Sequence, residues 1–142
     1  MCFKRKKDIL TEIESLRLRI SGMRCTRQYE VICNKSEAAV FRYEIKYVNR
    51  TEICKLDKKA ICELDEILNL LNNCNIIAWD GFHGSHPRNV LDGDMFRLHA
   101  VVNGKKIIQA EGSANFPNGY RELVSSFDRI LSESICAEDG KP

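Results

Sequence analysis

The amino-acid sequence predicts a single α+β domain, with a mostly antiparallel sheet and two main helices packed on one face. Three observations predict this class: apolar and polar residues alternate over residues 27–48, Asn103-Gly104 joins two further alternating runs, and residues 57–74 and 120–136 have helical spacing. The chain has 142 residues, 44% of them hydrophobic and 30% charged. This length allows a core without disulfide or metal support and leaves no room for a second domain.

The first 24 residues are predicted to form a basic N-terminal segment, followed by the α+β domain at 25–136 and a disordered tail at 137–142. One set of apolar residues in the segment has helical spacing, and a second set alternates with arginines as a strand would. The first set is Ile9, Leu10, Ile13 and Leu16, and the second is Leu16, Leu18 and Ile20. We therefore expect a helix followed by a strand.

Residues 27–48 carry the clearest strand signal in the chain. The alternating residues are Tyr29, Val31 and Cys33 in the first run, and Phe41, Tyr43, Ile45 and Tyr47 in the second. The polar residues 34–37 predict a turn between the runs, and their adjacency favours an antiparallel hairpin. One sheet face should then be aromatic.

A helix is predicted over residues 57–74, followed by a short strand at 76–79. Asp57 stands where an N-cap belongs, and apolar residues then recur at intervals of three and four. The recurring residues are Ile61, Leu64, Leu68 and Leu71. The connection between Trp79 and Asp94 shows neither the two-residue alternation of a strand nor the spacing of a helix. A connection of this length in a compact domain is either functional or mobile.

A second hairpin and a second helix complete the predicted fold. Phe96, Leu98, Ala100 and Val102 alternate with polar residues, and the Asn103-Gly104 turn leads into a return strand. Residues 116–119 break the sheet pattern, and apolar residues then repeat with helical spacing to about residue 136.

Several short strings resemble motifs of a family of uncharacterised small bacterial α+β domains. The strings are Trp79-Asp80-Gly81-Phe82, Asp92-Gly93-Asp94-Met95-Phe96, and Gly104 with Ile107, Ala110 and Gly112, followed by Pro117 and Tyr120. The resemblance covers roughly residues 38–131. It implies a shared fold and structural roles for these residues, and it implies no activity or catalytic residue.

The connection after Trp79 also offers candidate site residues. The candidates for binding a ligand or partner are Trp79, Asp80, Phe82, His83, His86 and Asp92. Because imidazole and carboxylate groups suit zinc, a metal-dependent hydrolase using Asp80, His83, His86 and Asp92 is the alternative function. However, a spacing of three in a Gly-rich loop does not place ligands on one face as a helix would, and the His-Glu-x-x-His arrangement is absent. We therefore expect no cofactor and assign no catalytic residue.

Charge and cysteine content bear on partners and compartment. Twenty-two Lys and Arg against twenty Asp and Glu give a net charge of +2, which argues against a dedicated nucleic-acid-binding domain although basic residues cluster at 4–7. No apolar run approaches the roughly twenty residues of a membrane span. Seven cysteines without a Cys-x-x-Cys motif, and the lack of a signal-peptide pattern, favour free thiols and a cytoplasmic location.

The leading hypothesis is a non-catalytic module that binds a protein partner or a small ligand. A sheet with helices on one face leaves its other face to solvent or to a partner, and the exposed side chains on it are expected to form the binding surface. Phe41, Tyr43, Tyr47 and Ile32 cannot all point toward the helices. The sequence also leaves open a homodimer formed through that face or through an edge strand.

Overall fold

The computed structural model describes residues 9–22, 25–89 and 93–139, with side chains described as far as Glu133 in the last helix. The elements in chain order are β1 (Ile13–Ser21), β2 (Thr26–Asn34), β3 (Glu37–Val48), β4 (Thr51–Glu63), α1 (Leu64–Asn73), a 3₁₀ turn (Ile76–Trp79), β5 (His83–Gly84), β6 (Met95–Val102), β7 (Lys106–Ser113) and α2 (Tyr120–Asp139).

The described strands form one seven-stranded sheet in the order β4-β3-β2-β1-β6-β7-β5. Every neighbouring pair is antiparallel except β5 and β7, which pair in parallel over two residues. β1 lies at the centre, where it is hydrogen-bonded to β2 on one side and to β6 on the other. The N-terminal part of the chain therefore supplies the strand that joins the two hairpins.

Both helices pack on the same face of the sheet. Alternate residues of the strands point toward this face, as the two-residue period of a strand requires, and they are buried: Leu16, Leu18 and Ile20 of β1, for example, are at most 2% exposed. The helices contribute the buried residues Ile67, Leu71, Leu123, Phe127 and Leu131 to the same cluster. Burying a side chain of this size contributes roughly 1.5–3 kcal/mol, so these contacts stabilise the packing of the helices on the sheet. The elements and their packing confirm the predicted α+β class.

The helix expected over residues 57–74 begins only at Leu64, and that part of the prediction is wrong. Residues 57–63 belong to β4, which pairs with β3 along almost its whole length. Ala60 is 3% exposed and faces the core, whereas Ile61 is 57% exposed. The backbone N–H of Leu64 donates to the carbonyl oxygen of Ser36, so the helix starts where the ladder ends. The helical spacing from Ile61 to Leu64 was accidental.

Two other local predictions are wrong in whole or in part. The strand expected at Leu16, Leu18 and Ile20 is confirmed as part of β1, but the helix expected before it is not formed: residues 9–12 are not helical and β1 already begins at Ile13, where strand pairing outweighs the helical spacing of the apolar residues. The run Ile76–Trp79 is a 3₁₀ turn rather than a strand. Ile76 and Trp79 are both buried, since residues three apart lie on one side of a 3₁₀ helix.

The two hairpins and the last helix are confirmed. β2 and β3 pair antiparallel around the predicted polar turn, and β6 and β7 pair around Asn103-Gly104. The last helix begins at Tyr120 and continues to Asp139, beyond the predicted end near residue 136. Residues 140–142 of the predicted disordered tail lie outside the described residues.

Candidate functional site

The face of the sheet opposite the helices is the candidate site, and we call it the open face. Its side chains form cross-strand rows, because directly paired residues point to the same side. The two central rows are Lys59, Phe41, Glu30, Arg17, His99 and Gln109, and Leu56, Tyr43, Gln28, Arg19, Arg97 and Glu111. The open face is thus polar and basic at its centre and aromatic toward β3.

A third row of the open face is apolar. Ile61, Ala39, Ile32, Ser15, Val101 and Ile107 are paired in sequence across six strands. Ile61 is 57% exposed, Ile32 is 50% exposed and Ile107 is 51% exposed. Single exposed isoleucines are ordinary on a protein surface, but a row of them mixed with polar neighbours is typical of an interaction surface.

The far end of the β3–β4 hairpin curves over the open face. A bulge between Arg42 and Tyr43 bends the strand pair, and Ile45 is only 3% exposed although it lies on the face away from the helices. The Arg19 guanidinium lies 2.8 Å from the Glu52 carboxylate, and it donates to the Tyr47 hydroxyl at 3.4 Å. The hydrogen bond from Arg19 lowers the pKa of the Glu52 carboxyl. These contacts make the open face concave.

A groove of about 580 Å³ lies on the open face where β1, β6 and β7 meet the residues that follow Trp79. Arg17, Arg97, His99 and Gln109 line it from the strands, and Asp80 and His83 lie at its edge. The position of the edge residues is fixed by the backbone: Asp80 accepts a hydrogen bond from the Gln109 N–H at 3.0 Å, and His83 pairs with Glu111 in the two-residue strand β5.

Two of the predicted site residues are core residues. Trp79 is 2% exposed, and its ring N–H donates to the carbonyl oxygen of Asn118 at 3.0 Å. Its ring lies edge-on to Phe96, with 6.2 Å between the ring centroids. Phe82 is half-buried and packs against the same Phe96 ring at 6.1 Å. Trp79 therefore anchors the connection, while Phe82 both packs on the core and lines the groove.

The residues of the alternative metal site have separate partners. His83 Nδ1 lies 3.0 Å from a carboxylate oxygen of Glu111, whereas His86 Nδ1 lies 2.8 Å from the hydroxyl of Ser113. Asp92 lies outside the described residues. Among the residues that the structure does describe, no group of three or more His, Cys, Asp or Glu side chains could hold a metal ion. The metal-dependent hydrolase stays a prediction from the sequence.

The described cysteines are free thiols. Burial raises the pKa of Cys33 to about 11, and the pKa of Cys62 is likewise raised to about 11, mainly by burial. Burial also raises the pKa of Cys74. Because the thiolate is the reactive form, these three thiols are protonated and unreactive near neutral pH. The prediction of free thiols is confirmed for the described cysteines.

Arg97, Gln109 and Glu111, which form one side of the groove together with His99, were not among the residues predicted from the sequence. Their signal was present, since each is a polar residue of the alternating β6–β7 hairpin and must point away from the core. What could not be read from the sequence is the pairing of β6 with β1, which places His99 opposite Arg17 across more than eighty residues of chain.

Comparison with known proteins adds no relative from which a role could be taken. No family model matches the sequence, and no curated protein matches it either. Within residues 9–22, 25–89 and 93–139, no helix is long and apolar enough to cross a membrane.

Proposed function

We propose that the protein is a non-catalytic binding module whose open face holds a small ligand or a protein partner. The observation that carries this proposal is the unequal covering of the sheet. Both helices pack on one face, while the opposite face keeps a concave surface with exposed isoleucines beside a polar groove. Concave surfaces that combine apolar area with a few convergent polar groups are the usual form of ligand sites.

The proposal favours binding over chemistry because of what the groove contains. A nucleophilic or general-base mechanism requires a reactive group held by a second group within hydrogen-bond reach. Of the titratable side chains that line the groove, Asp80 accepts a hydrogen bond from the backbone, His83 and Arg97 pair with Glu111, and Arg17 and His99 have no partner side chain among the described residues. This arrangement suits recognition of a ligand.

A matched pair of variants tests the proposal. Ile32→Glu places a carboxylate in the apolar row of the open face, and Ile53→Glu places one at a similarly exposed strand position on the opposite side of the sheet. In native mass spectra of protein purified from cells, we expect the parent chain and Ile53→Glu to retain an added mass, a ligand or a second chain, that Ile32→Glu lacks. A bare monomer in all three spectra, or the same added mass in all three, would contradict the proposal.

A further inference from the structure

Three arginine side chains lie close together at the centre of the open face, and their mutual repulsion lowers the stability of the folded state. Arg19 of β1 and Arg97 of β6 are directly opposite each other in the ladder, and Arg17 is opposite His99 in the next row. Like charges directly opposite in a sheet repel and destabilise the pair. The Arg19–Arg97 row, with Arg17 in the row beside it, therefore needs negative charge nearby.

The acidic side chains near these arginines pair closely with one of them and only loosely with another. Glu52 pairs closely with Arg19 at 2.8 Å, and Glu111 lies 3.6 Å from Arg97, whose side chain remains 77% exposed. Neither the Arg17 nor the His99 side chain forms a hydrogen bond or ion pair with another residue in the described part of the chain. Glu30, which is directly opposite Arg17 in the ladder, accepts instead from Gln28 at 2.6 Å. The donors without a direct partner are therefore the side chains of Arg17 and His99, and Arg97 is only loosely paired.

These three donors line the same groove, so a single bound group can reach them together. Arg97 also lines a second hollow of about 240 Å³, beside Tyr47 and Met95, and therefore stands between the two hollows. A guanidinium group presents its N–H donors as a planar fork that matches carboxylate and phosphate oxygens. The arrangement is complementary to an oxyanion.

An apolar strip borders the donors on one side. Val101 follows His99 by two residues on β6, so their side chains share the open face, and Ile107 lies directly opposite Val101 on β7. Ile107 is 51% exposed. A molecule held at the donors could cover this strip, and covering it would contribute about 25 cal/mol per Å² of apolar surface.

We propose that the groove binds a small organic anion, with its carboxylate or phosphate at Arg17, Arg97 and His99 and its apolar part along Val101 and Ile107. This inference rests on the open face being the binding surface of the module. It adds the chemical class of the ligand, which is an amphipathic oxyanion rather than a neutral molecule or a macromolecule.

Three small probes that share a phenyl ring test the inference. Phenyl phosphate and benzoate carry the two oxyanions, and benzyl alcohol is the neutral control. In ¹H–¹⁵N spectra of the whole chain, we expect saturable shifts in the amides of β1, β6 and β7 with at least one anion, and binding of benzyl alcohol at least about ten-fold weaker, as the loss of a charge-assisted hydrogen bond implies. Which of the two anions binds more tightly tells phosphate from carboxylate.

Arginine variants locate the site. Arg17→Gln and Arg97→Gln should each weaken binding of the anion about ten-fold, because each removes one charged donor. Arg121→Gln is the matched control, since Arg121 is an exposed residue of α2 on the other side of the sheet. The spectra also show whether each variant is folded. We expect all of them to fold, because the side chains of both groove arginines are exposed to solvent.

Three results would each overturn the inference. They are the absence of saturable shifts with both anions, binding of benzyl alcohol as tight as that of the anions, and equal binding of the anion by all three arginine variants. If the anions fail while Ile32→Glu still loses the mass retained by the parent chain, the open face remains the binding surface and only the ligand class is wrong. If neither response is seen, the binding module itself fails.

Discussion

At the scale of single residues, the loop at 116–119 leads from β7 into α2 and packs against the end of α1. Gly119 has a φ of +92°, and a Cβ atom there would lie 2.5 Å from the carbonyl oxygen of Cys74. The neighbouring carbonyl of Asn118 accepts the Trp79 ring N–H. The loop therefore holds the core tryptophan and the two helices in one arrangement, and it tolerates no side chain at Gly119.

Gly119→Ala should destabilise the protein strongly. A positive φ costs an alanine roughly 1–2 kcal/mol, and the clash with a backbone oxygen adds roughly 1–3 kcal/mol of overpacking. Gly104→Ala is the matched control, because Gly104 has a φ of +90° but no atom within 4 Å of its Cβ position. Urea denaturation should give a clearly larger loss of unfolding free energy for Gly119→Ala. Equal losses would show that the contact with Cys74 is not rigid.

The residues named from the sequence divide into two groups for a physical reason. Asp80 and His83 reach the groove because β5 pairs with β7 and places them at its edge, whereas Trp79 is drawn into the core by its large apolar ring. Local composition can suggest that a Gly-rich connection carries a site. It cannot show that Arg17 and His99 meet, since that contact depends on the pairing of β1 with β6.

At the scale of secondary-structure elements, α2 is attached to the sheet by a polar cluster as well as by apolar packing. The Asp128 carboxylate accepts hydrogen bonds from the Tyr29 hydroxyl and from the Arg42 guanidinium, both at 2.6 Å. Burial and the hydrogen bond to Asp128 raise the pKa of Tyr29. Burial alone would lower the pKa of Arg42, but its hydrogen bonds to Asp57 and Asp128 raise it. The cluster fixes the position of α2 along β2 and β3.

Asp128→Ala should therefore cost about 1–2 kcal/mol of unfolding free energy, since it removes an ion pair with Arg42 and also leaves the buried Tyr29 without its acceptor. Asp57→Ala is the comparison, because Asp57 is as exposed as Asp128 and pairs with the same Arg42 at 2.9 Å, but it accepts no hydrogen bond from Tyr29. An exposed pair contributes about 0–1 kcal/mol. Thermal or urea denaturation distinguishes the two. If both variants lose the same amount, the Asp128 cluster does not hold α2.

The elements that could be predicted from the sequence are those stabilised by local contacts. Both hairpins have short turns, so the residues that pair are close in sequence and their alternation is visible. Residues 57–63 had apolar spacing compatible with a helix, yet pairing with β3 made them a strand. β1 was visible only in part, through the alternation of Leu16, Leu18 and Ile20, because the long-range pairing that extends it and that decides residues 57–63 cannot be recognised from local spacing.

At the scale of the whole molecule, one tyrosine hydroxyl and two cysteine thiols with raised pKa values make the free energy of unfolding depend on pH in the alkaline range. Burial raises the pKa of Tyr120 from its usual 10.0 to about 12, and those of Cys33 and Cys62 from 9.0 to about 11, with burial as the largest cause throughout. Each protonated form is favoured in the folded state. Their contribution to stability is therefore complete below about pH 9 and is lost as pH rises toward 12.

We expect the unfolding free energy to decrease between pH 10 and 12, with about 2 kcal/mol of the decrease due to Tyr120. Urea denaturation at a series of pH values measures it. Tyr120→Phe has no ionisable hydroxyl at this position, so its stability should decrease by about 2 kcal/mol less over the same range. Parallel pH profiles for the parent chain and Tyr120→Phe would show that the Tyr120 hydroxyl remains in contact with water.

The two faces of the sheet determine what the molecule can do. The helix-covered face contains the main hydrophobic core, and the open face combines exposed isoleucines with a groove in which the Arg17 and His99 side chains have no direct partner among the described residues. A fold stabilised on one side can keep unfavourable charge pairs on the other, and such local conflicts are common where a protein binds something. Binding at the open face is thus the central claim.

The most direct test compares isoleucine methyl groups by NMR in the presence of a soluble paramagnetic agent. Ile32, Ile61 and Ile107 report on the open face, and the similarly exposed Ile53 is the internal reference. In protein refolded from denaturant and freed of small molecules, we expect all four to relax rapidly. In protein kept native from the cell, we expect the open-face methyl groups that the bound molecule covers to be protected, Ile107 first among them because it is nearest to the groove, and Ile53 to remain accessible. Equal relaxation of all four methyl groups in both preparations would contradict binding at the open face.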